Sequence, residues 1–350
     1  MWDAAMRQAN ATRERTLPAL SSRGRSSLWP EGADRGSPEA LVPSTRLGYW
    51  REGRARAFGG AAVKRYVGRV GRCSAIAGFA VVFGFPLYWT VAMAFKPGPE
   101  WNPLGEVIWW PRQPTLANFE MVLGLSGPKD SPFLQQPSRS ALHPIANSLV
   151  AAGCGTIVAT IFGVLAAYGI TRFRAGGRHL PLAILSIRFV PPIVFLIPLF
   201  VLFAYLGLWD TLPGLAILYA AFGFPLVVWL VRSSLLELPR ELSEAAIADG
   251  CTHWGAFLKV TLPQVKGAVA AAVLFVFVIS WSDLVIALVM TQDHAQTAPV
   301  FLASLESDEF QREFGPQAAL SLILMGPPLA LGLAMRRHLV RGLSLGTIRR

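Results

Sequence analysis

Apolar residues gather in six long runs, about 74–95, 143–169, 181–206, 212–232, 264–289 and 316–336, and most charged residues lie between them. Each run reaches the roughly 20 residues that a helix needs to cross a ~30 Å hydrocarbon core. The pattern predicts an all-α integral membrane protein with six transmembrane helices. Composition agrees: 53% of the residues are hydrophobic and 15% charged, where soluble domains carry about a quarter charged. Mean hydropathy is +0.44. At 350 residues the chain is long enough for two soluble domains, but the runs are too long for that reading.

The polar stretches assign the sides. Residues 1–72 hold 14 Lys and Arg against 6 acids, the loop 171–180 has Arg172, Arg174 and Arg178 with no acid, and the tail after Met335 adds Arg336, Arg337, Arg341, Arg349 and Arg350. The loop 96–142 is balanced at four of each sign, and 290–315 has five acids against Arg312. All three basic regions fall on one side of a six-span alternation, so the positive-inside rule places both termini in the cytoplasm. The net charge of +11 is thereby explained by orientation and anionic lipid rather than by nucleic acid. The chain thus reads as three regions: a basic N-terminal tail 1–72, a six-span body 73–337 and a basic C-terminal tail 338–350. The tail to about Ala57 is rich in Ser, Gly and Pro and reads as disordered. Residues 62–72 read as an amphipathic lead-in to the first span, and nothing in the tail has the apolar core of a signal peptide.

One polar segment between the fourth and fifth runs has its own architecture. Pro239 suits a helical first turn, Arg240 to Asp249 are nearly all helix formers, and Gly250 tolerates a left-handed terminus. Thr252 then caps a second helix, His253 to Val260, which Pro263 is expected to break. Ala245, Ala246 and Ala248 leave room for another surface, while Glu241, Glu244 and Asp249 carry charge for basic partners. A solvated surface helix is the plain alternative.

The run ELPRELSEAAIADGCTHWGAFLKVTLP, from Glu237 to Pro263, resembles the EAA loop of permease subunits in binding-protein-dependent ABC importers, with EAAxxDG and the closing Leu262-Pro263 in place. The resemblance extends from about Cys73 to the C-terminus. Asn147-Ser148, Ala166-Ala167-Tyr168 with Arg172-Phe173, Pro191 through Pro198-Leu199, Leu206-Gly207-Leu208 with Thr211, Trp281, and Val340-Arg341-Gly342-Leu343 all look like the carbohydrate-importer branch, nearest to the maltose-type small permease subunit. Ser282-Asp283 departs from the Asn-Glu more usual after the tryptophan. The resemblance implies a type I ABC importer permease fold and a coupling helix that docks into a cleft on a separate ATP-hydrolysing subunit. Glu241, Glu244, Ala245, Ala246, Asp249, Gly250, Leu262 and Pro263 are the coupling residues it implies. Its implied partners are an ATPase dimer that binds the ATP and magnesium, a second permease, a solute-binding protein and membrane lipid. Sugar or a sugar-like solute is the implied cargo; a polyamine, a glycerol-phosphate-like compound or a passive channel are the alternatives.

Within the spans, ionisable residues are the first functional suspects, since charge in hydrocarbon costs about 2.5–3.5 kcal/mol even on insertion scales. At 1.5 Å per residue Arg188 lies roughly 10 Å into the third span and Asp283 roughly 28 Å into the fifth, which argues against a direct pair. Arg188 either snorkels to lipid phosphate or lines a pore, and Asp283 either ends a helix at the interface or faces the pathway. Tyr219, Trp229 and Trp281 are the aromatic pathway candidates, whereas Trp89, Trp109, Trp110 and Trp209 suit an interfacial belt. Pro191, Pro192, Pro198 and Pro225 predict kinks, and the ladder Ala159, Gly163, Ala167 predicts close helix packing. Three cysteines and five scattered histidines show no metal-ligand spacing. Gly342-Leu343-Ser344-Leu345-Gly346 matches GxSxG, but with four residues after it no downstream acid and histidine can follow. No GxxxxGK[ST] loop occurs, so ATP requires another subunit.

Overall fold

The computed structural model describes residues 71–101, 106–125, 140–177, 179–305 and 314–343, with side chains as far as Arg337. The expectations for residues 1–70 lie outside that set. The chain divides into two units between Cys73 and Ser74, and the second contains the helix bundle.

Every regular element among the described residues is helical. Four helices are long and apolar enough to cross a membrane: α1 (Gly71–Ala94), α3 (Leu142–Arg172), α6 (Leu212–Glu237) and α12, whose crossing part is Phe314–Arg337 and which runs on to Leu343. The short α2 (Ala117–Leu123) lies between α1 and α3 in sequence. The third expected span is a broken pair: α4 (Leu180–Ser186) passes through a 3-10 turn, Ile187–Phe189, and α5 (Ile193–Tyr205) departs at 96°. Pro191 and Pro192 sit in the gap, where a missing N–H and the bias of a pre-proline residue toward extended backbone end α4; Val190 is indeed extended, at φ −83° and ψ 124°. The fifth expected span, 264–289, is also interrupted. α9 (Lys266–Trp281) stops before Ser282-Asp283-Leu284, and α10 (Val285–Met290) restarts under a cap by the Asp283 side chain, whose Oδ2 accepts the Ala287 amide at 3.1 Å. Continuous apolarity could not disclose either break, because both halves are equally apolar.

α3 and α6 form the spine. A side chain built on Gly155 would strike Tyr219, one on Gly163 would strike Val227, and one on Gly223 would meet Ala159. These pairs share one offset, 64 residues, so the helices run parallel with small residues every fourth position at the seam. The predicted ladder therefore does lie in a helix–helix contact, with Gly155 as an extra rung. Ala159 and Ala167 are essentially inaccessible there, and Val276 of α9 closes over Gly223. The core around this seam includes Val227, Val231, Leu235 and Phe257.

At the N-terminal ends of α3 and α6 the connecting loops are stapled by side chains. Asp210, at φ +54°, accepts four backbone amides: Gln292 at 2.8 Å and Ala295 at 3.0 Å on Oδ1, His294 at 3.1 Å and Asp293 at 3.3 Å on Oδ2. Asn147 donates to the carbonyls of His294 and Gln296, both at 3.0 Å, and the Ser148 hydroxyl accepts the Ala298 amide at 2.8 Å as α11 (Ala298–Ser304) begins. Lys96, 2% exposed, donates to the Ile108 carbonyl and lies 4.5 Å from the Trp89 ring centre. Its burial pushes the ammonium pKa down, partly offset by nearby Glu100.

Candidate functional site

The polar hairpin hangs from the C-terminal end of α6. α7 (Glu241–Ala248) ends at Gly250, whose φ of +92° is a conformation that favours glycine. Thr252 accepts the Gly255 amide at 3.1 Å and caps α8 (His253–Ala256). The expected stop before Pro263 does not occur: the helix continues through a π turn, Phe257–Thr261, into Leu262–Gln264. A proline ring normally collides with the carbonyl four residues back, and the wider turn takes that carbonyl away from Pro263. The chain then bends by 74° into α9.

The hairpin has two faces. Ser243 and Ala246 are buried, and the Ser243 hydroxyl meets that of Thr261, itself inaccessible, at 3.2 Å. Arg240 donates to the Thr171 carbonyl at 3.4 Å, tying the root of α7 to the end of α3. Glu241, Glu244, Ala245, Asp249 and Gly250 are exposed, as is Pro263, while Leu262 is half-buried against the core. Leu242, Trp254 and Leu258 add exposed apolar surface at 43%, 63% and 54%. Those three were missed in the sequence, where they read as ordinary helix positions. The result is a short rod with an acidic and apolar outer surface and an inner surface fixed to the helix bundle.

A second site lies where the two broken spans meet α6. Arg188, from the 3-10 turn after α4, donates to the Phe222 carbonyl at 3.0 Å. The Tyr219 hydroxyl donates to Asp283 Oδ2 at 3.4 Å. Arg188, Tyr219 and Asp283 all line one small cavity, with Ser280 on α9 and Gly223 on α6. Arg188 and Asp283 form no direct ion pair, as their spacing along the spans led one to expect; the pair found among the described residues is Arg112–Glu106, at 2.6 Å and largely exposed. Both residues nonetheless reach one cavity, because each sits at a break where the span departs from a straight helix.

The two tryptophan candidates stand elsewhere. Trp281, 4% exposed, stacks on Phe277 with ring centres 5.8 Å apart and donates from Nε1 to the Leu324 carbonyl of α12 at 3.0 Å. Trp229 is 43% exposed on α6 and does not line the cavity. Asp210 was missed as well. Burial pushes its carboxyl pKa up, but the four backbone amides outweigh that and hold it below the usual carboxylate range.

Known proteins resemble this arrangement along most of its length. The trehalose transport system permease protein SugB of Mycobacterium tuberculosis is 31% identical over 277 residues, spanning 78% of this chain and 94% of its own. The trehalose/maltose transport system permease protein MalG of Thermococcus litoralis is 29% identical, spanning 77% of this chain and 93% of its own. The crystal structure of a bacterial ABC transporter involved in the import of the acidic polysaccharide alginate contains a chain of the same fold, with TM-score 0.60 at 20% identity, covering 79% of this chain and 97% of that one. Residues 159–344, a stretch that includes the hairpin, both breaks and the cavity, match the binding-protein-dependent transport system inner membrane component family. The chain belongs to that family: it is a multi-pass ABC transporter permease subunit.

Proposed function

We propose that this chain forms half of the translocation pathway of an ATP-driven importer, carrying a sugar or sugar-like solute delivered by an extracytoplasmic binding protein. Six spans cross the membrane, each broken pair counting as one, with both termini and the α7–α8 hairpin in the cytoplasm. The single observation that carries the coupling role is the two-faced hairpin: its root is held by Ser243–Thr261 and Arg240–Thr171, while Glu241, Glu244 and Asp249 stay exposed. A rod gripped from outside, bonded at its root to α3 and running on into α9, passes displacement to both. ATP and magnesium belong to a separate ATPase dimer, whose closure on ATP would pull the hairpins together and rock the spans outward. Hydrolysis resets the pathway. The energy comes from ATP, and this chain supplies two conformations whose balance the nucleotide shifts. A second permease, a distinct homologue of this one, completes the pathway. The relatives named for trehalose and maltose transport support the sugar assignment.

Substituting Gly250→Trp tests the coupling. No atom lies within 4 Å of a side chain built there, so the indole meets nothing in this chain, although the φ of +92° means it also strains the turn that shapes the hairpin. Membrane-inserted variant protein with solute uptake and solute-stimulated ATP hydrolysis reduced to background is the expected result. Uptake at the wild-type rate would remove the hairpin from the mechanism and favour a passive channel.

A further inference from the structure

Past the C-terminal end of α1 the chain folds back along that helix. Glu106 and Arg112 meet at 2.6 Å and close a short loop whose tip, residues 107–111, carries no charge. Trp109 sets its ring edge-on to Phe85 and Trp89, with centres 6.4 and 6.2 Å apart, and Trp110 stacks on Tyr88 at 6.3 Å. Phe85 and Trp89 lie nine and five residues before Ala94, where α1 ends, hence about 13 and 8 Å down the helix at ~1.5 Å per residue. With 24 residues α1 is about 36 Å long, some 6 Å more than a ~30 Å hydrocarbon core. Shared between two ends, that excess puts the hydrocarbon boundary about 3 Å inside Ala94. The tip therefore lies beside helix that is already in hydrocarbon, about 5–10 Å below the boundary.

The backbone of the tip is served accordingly. The Tyr88 hydroxyl donates to the Trp109 carbonyl at 2.9 Å, and the ammonium of inaccessible Lys96 donates to the Ile108 carbonyl. A loop in water needs neither donor, whereas irregular backbone at hydrocarbon depth persists only where its polar groups are met by protein. The outward side chains are apolar: Val107, Trp109 and Trp110 are 63%, 59% and 51% exposed, continuous with the exposed Phe83 and Phe85 of α1. We infer that residues 107–110 form a wedge that dips into the bilayer, with Trp109 and Trp110 among the upper acyl chains and the Glu106–Arg112 pair at headgroup level. Lipid covers it, because a soluble partner stays in water and cannot reach that depth. Met93 and Ala94 share a small core with Ala318 and Ala319 of α12, so the wedge sets the height of that junction in the membrane. The inference rests on α1 being a membrane span.

The test uses the complete complex in vesicles of phosphatidylethanolamine and phosphatidylglycerol. Val107→Cys and Trp110→Cys carry nitroxide labels in a chain whose Cys73, Cys154 and Cys251 are replaced by Ser; Phe83→Cys marks the span and Gln113→Cys the water side. Relaxation by oxygen against a water-soluble nickel chelate should place the labels at 107 and 110 about 5–10 Å inside the boundary, unchanged when the binding protein is added. Chelate access there equal to that at Gln113 would overturn the wedge, and protection from both relaxants would overturn it in favour of a covering protein. A Phe83 label in water would overturn the span itself. Should the cysteine-replaced chain fail to assemble, the tryptophan emission lost in the double variant Trp109→Phe, Trp110→Phe carries the test. That component should be quenched by lipids brominated high on their acyl chains and untouched by aqueous iodide; the reverse would overturn the wedge.

Discussion

Replacing Asp210 should loosen one loop and leave the helices that flank it in place. The carboxylate accepts four successive amides, Gln292 to Ala295, at 2.8–3.3 Å. A hydrogen bond to a charged group is worth about 1.5–3 kcal/mol, but four bonds share two oxygens and the side chain is half-exposed, so water replaces part of what is lost. About 3 kcal/mol is a reasonable total for Asp210→Ala after that discount. At about 1.4 kcal/mol per decade this is roughly a hundredfold faster hydrogen exchange at the four amides. Exchange read by mass spectrometry on the peptide spanning 290–297 checks it, with the interior of α6 as the unchanged reference. Asp210→Asn keeps the shape but turns an amide NH2 toward two N–H donors, and should fall between. The positive φ of Asp210, +54°, is tolerated by Asn better than by Ala, so a gap between the two variants separates backbone strain from lost acceptors. The pH dependence has a definite sign. Because the amides hold the folded-state pKa below its usual value, the stabilisation is present above the unfolded-state pKa of about 3.9 and disappears as pH falls through the lower folded value. Thermal unfolding of wild type and Asp210→Asn should therefore differ by a constant amount from about pH 5 to 8, where the carboxylate is fully ionised, and converge below about pH 4. An exchange ratio under about threefold at the four amides, roughly half a decade, would refute the clamp.

Two further perturbations probe the helix seams. Gly163→Ala places a methyl 2.6 Å from Val227 Cβ, an atom fixed to the backbone, so α3 and α6 must separate; about 1–3 kcal/mol of stability should go. Gly153→Ala on the same helix meets nothing within 4 Å and should be neutral or slightly stabilising, which thermal unfolding in detergent distinguishes directly. Trp281→Phe removes the 3.0 Å bond to the Leu324 carbonyl and opens space in a buried contact, for a loss of about 1–2 kcal/mol; an unchanged melting temperature would show that α12 is held to α9 by other contacts.

Sequence and structure part company at the places where a chain departs from a straight helix. The six apolar runs and the hairpin were legible because they depend on local properties: hydropathy summed over about 20 residues, a glycine at a left-handed position, a threonine ahead of a helix. Gly250 and Thr252 do in the structure what their chemistry dictates alone. The breaks were only half legible. Pro191-Pro192 announced a kink but not a 96° turn, and Asp283 gave no sign that its carboxylate would cap α10, since a capping acid and an interfacial acid look alike in one dimension. That one omission displaced the site. Measured along unbroken helices, Arg188 and Asp283 belong at different depths; once both spans bend, the residue after the first half of one and the residue after the main helix of the other arrive in the same cavity. Trp281 erred in the opposite direction, for an aromatic on an apolar helix can face a pathway or a neighbour, and the choice was made by the position of Leu324, 43 residues on. Charges inside spans are costly wherever they lie, so a bend that brings two of them and a tyrosine to one cavity, without letting the charges pair, concentrates that cost at a single point.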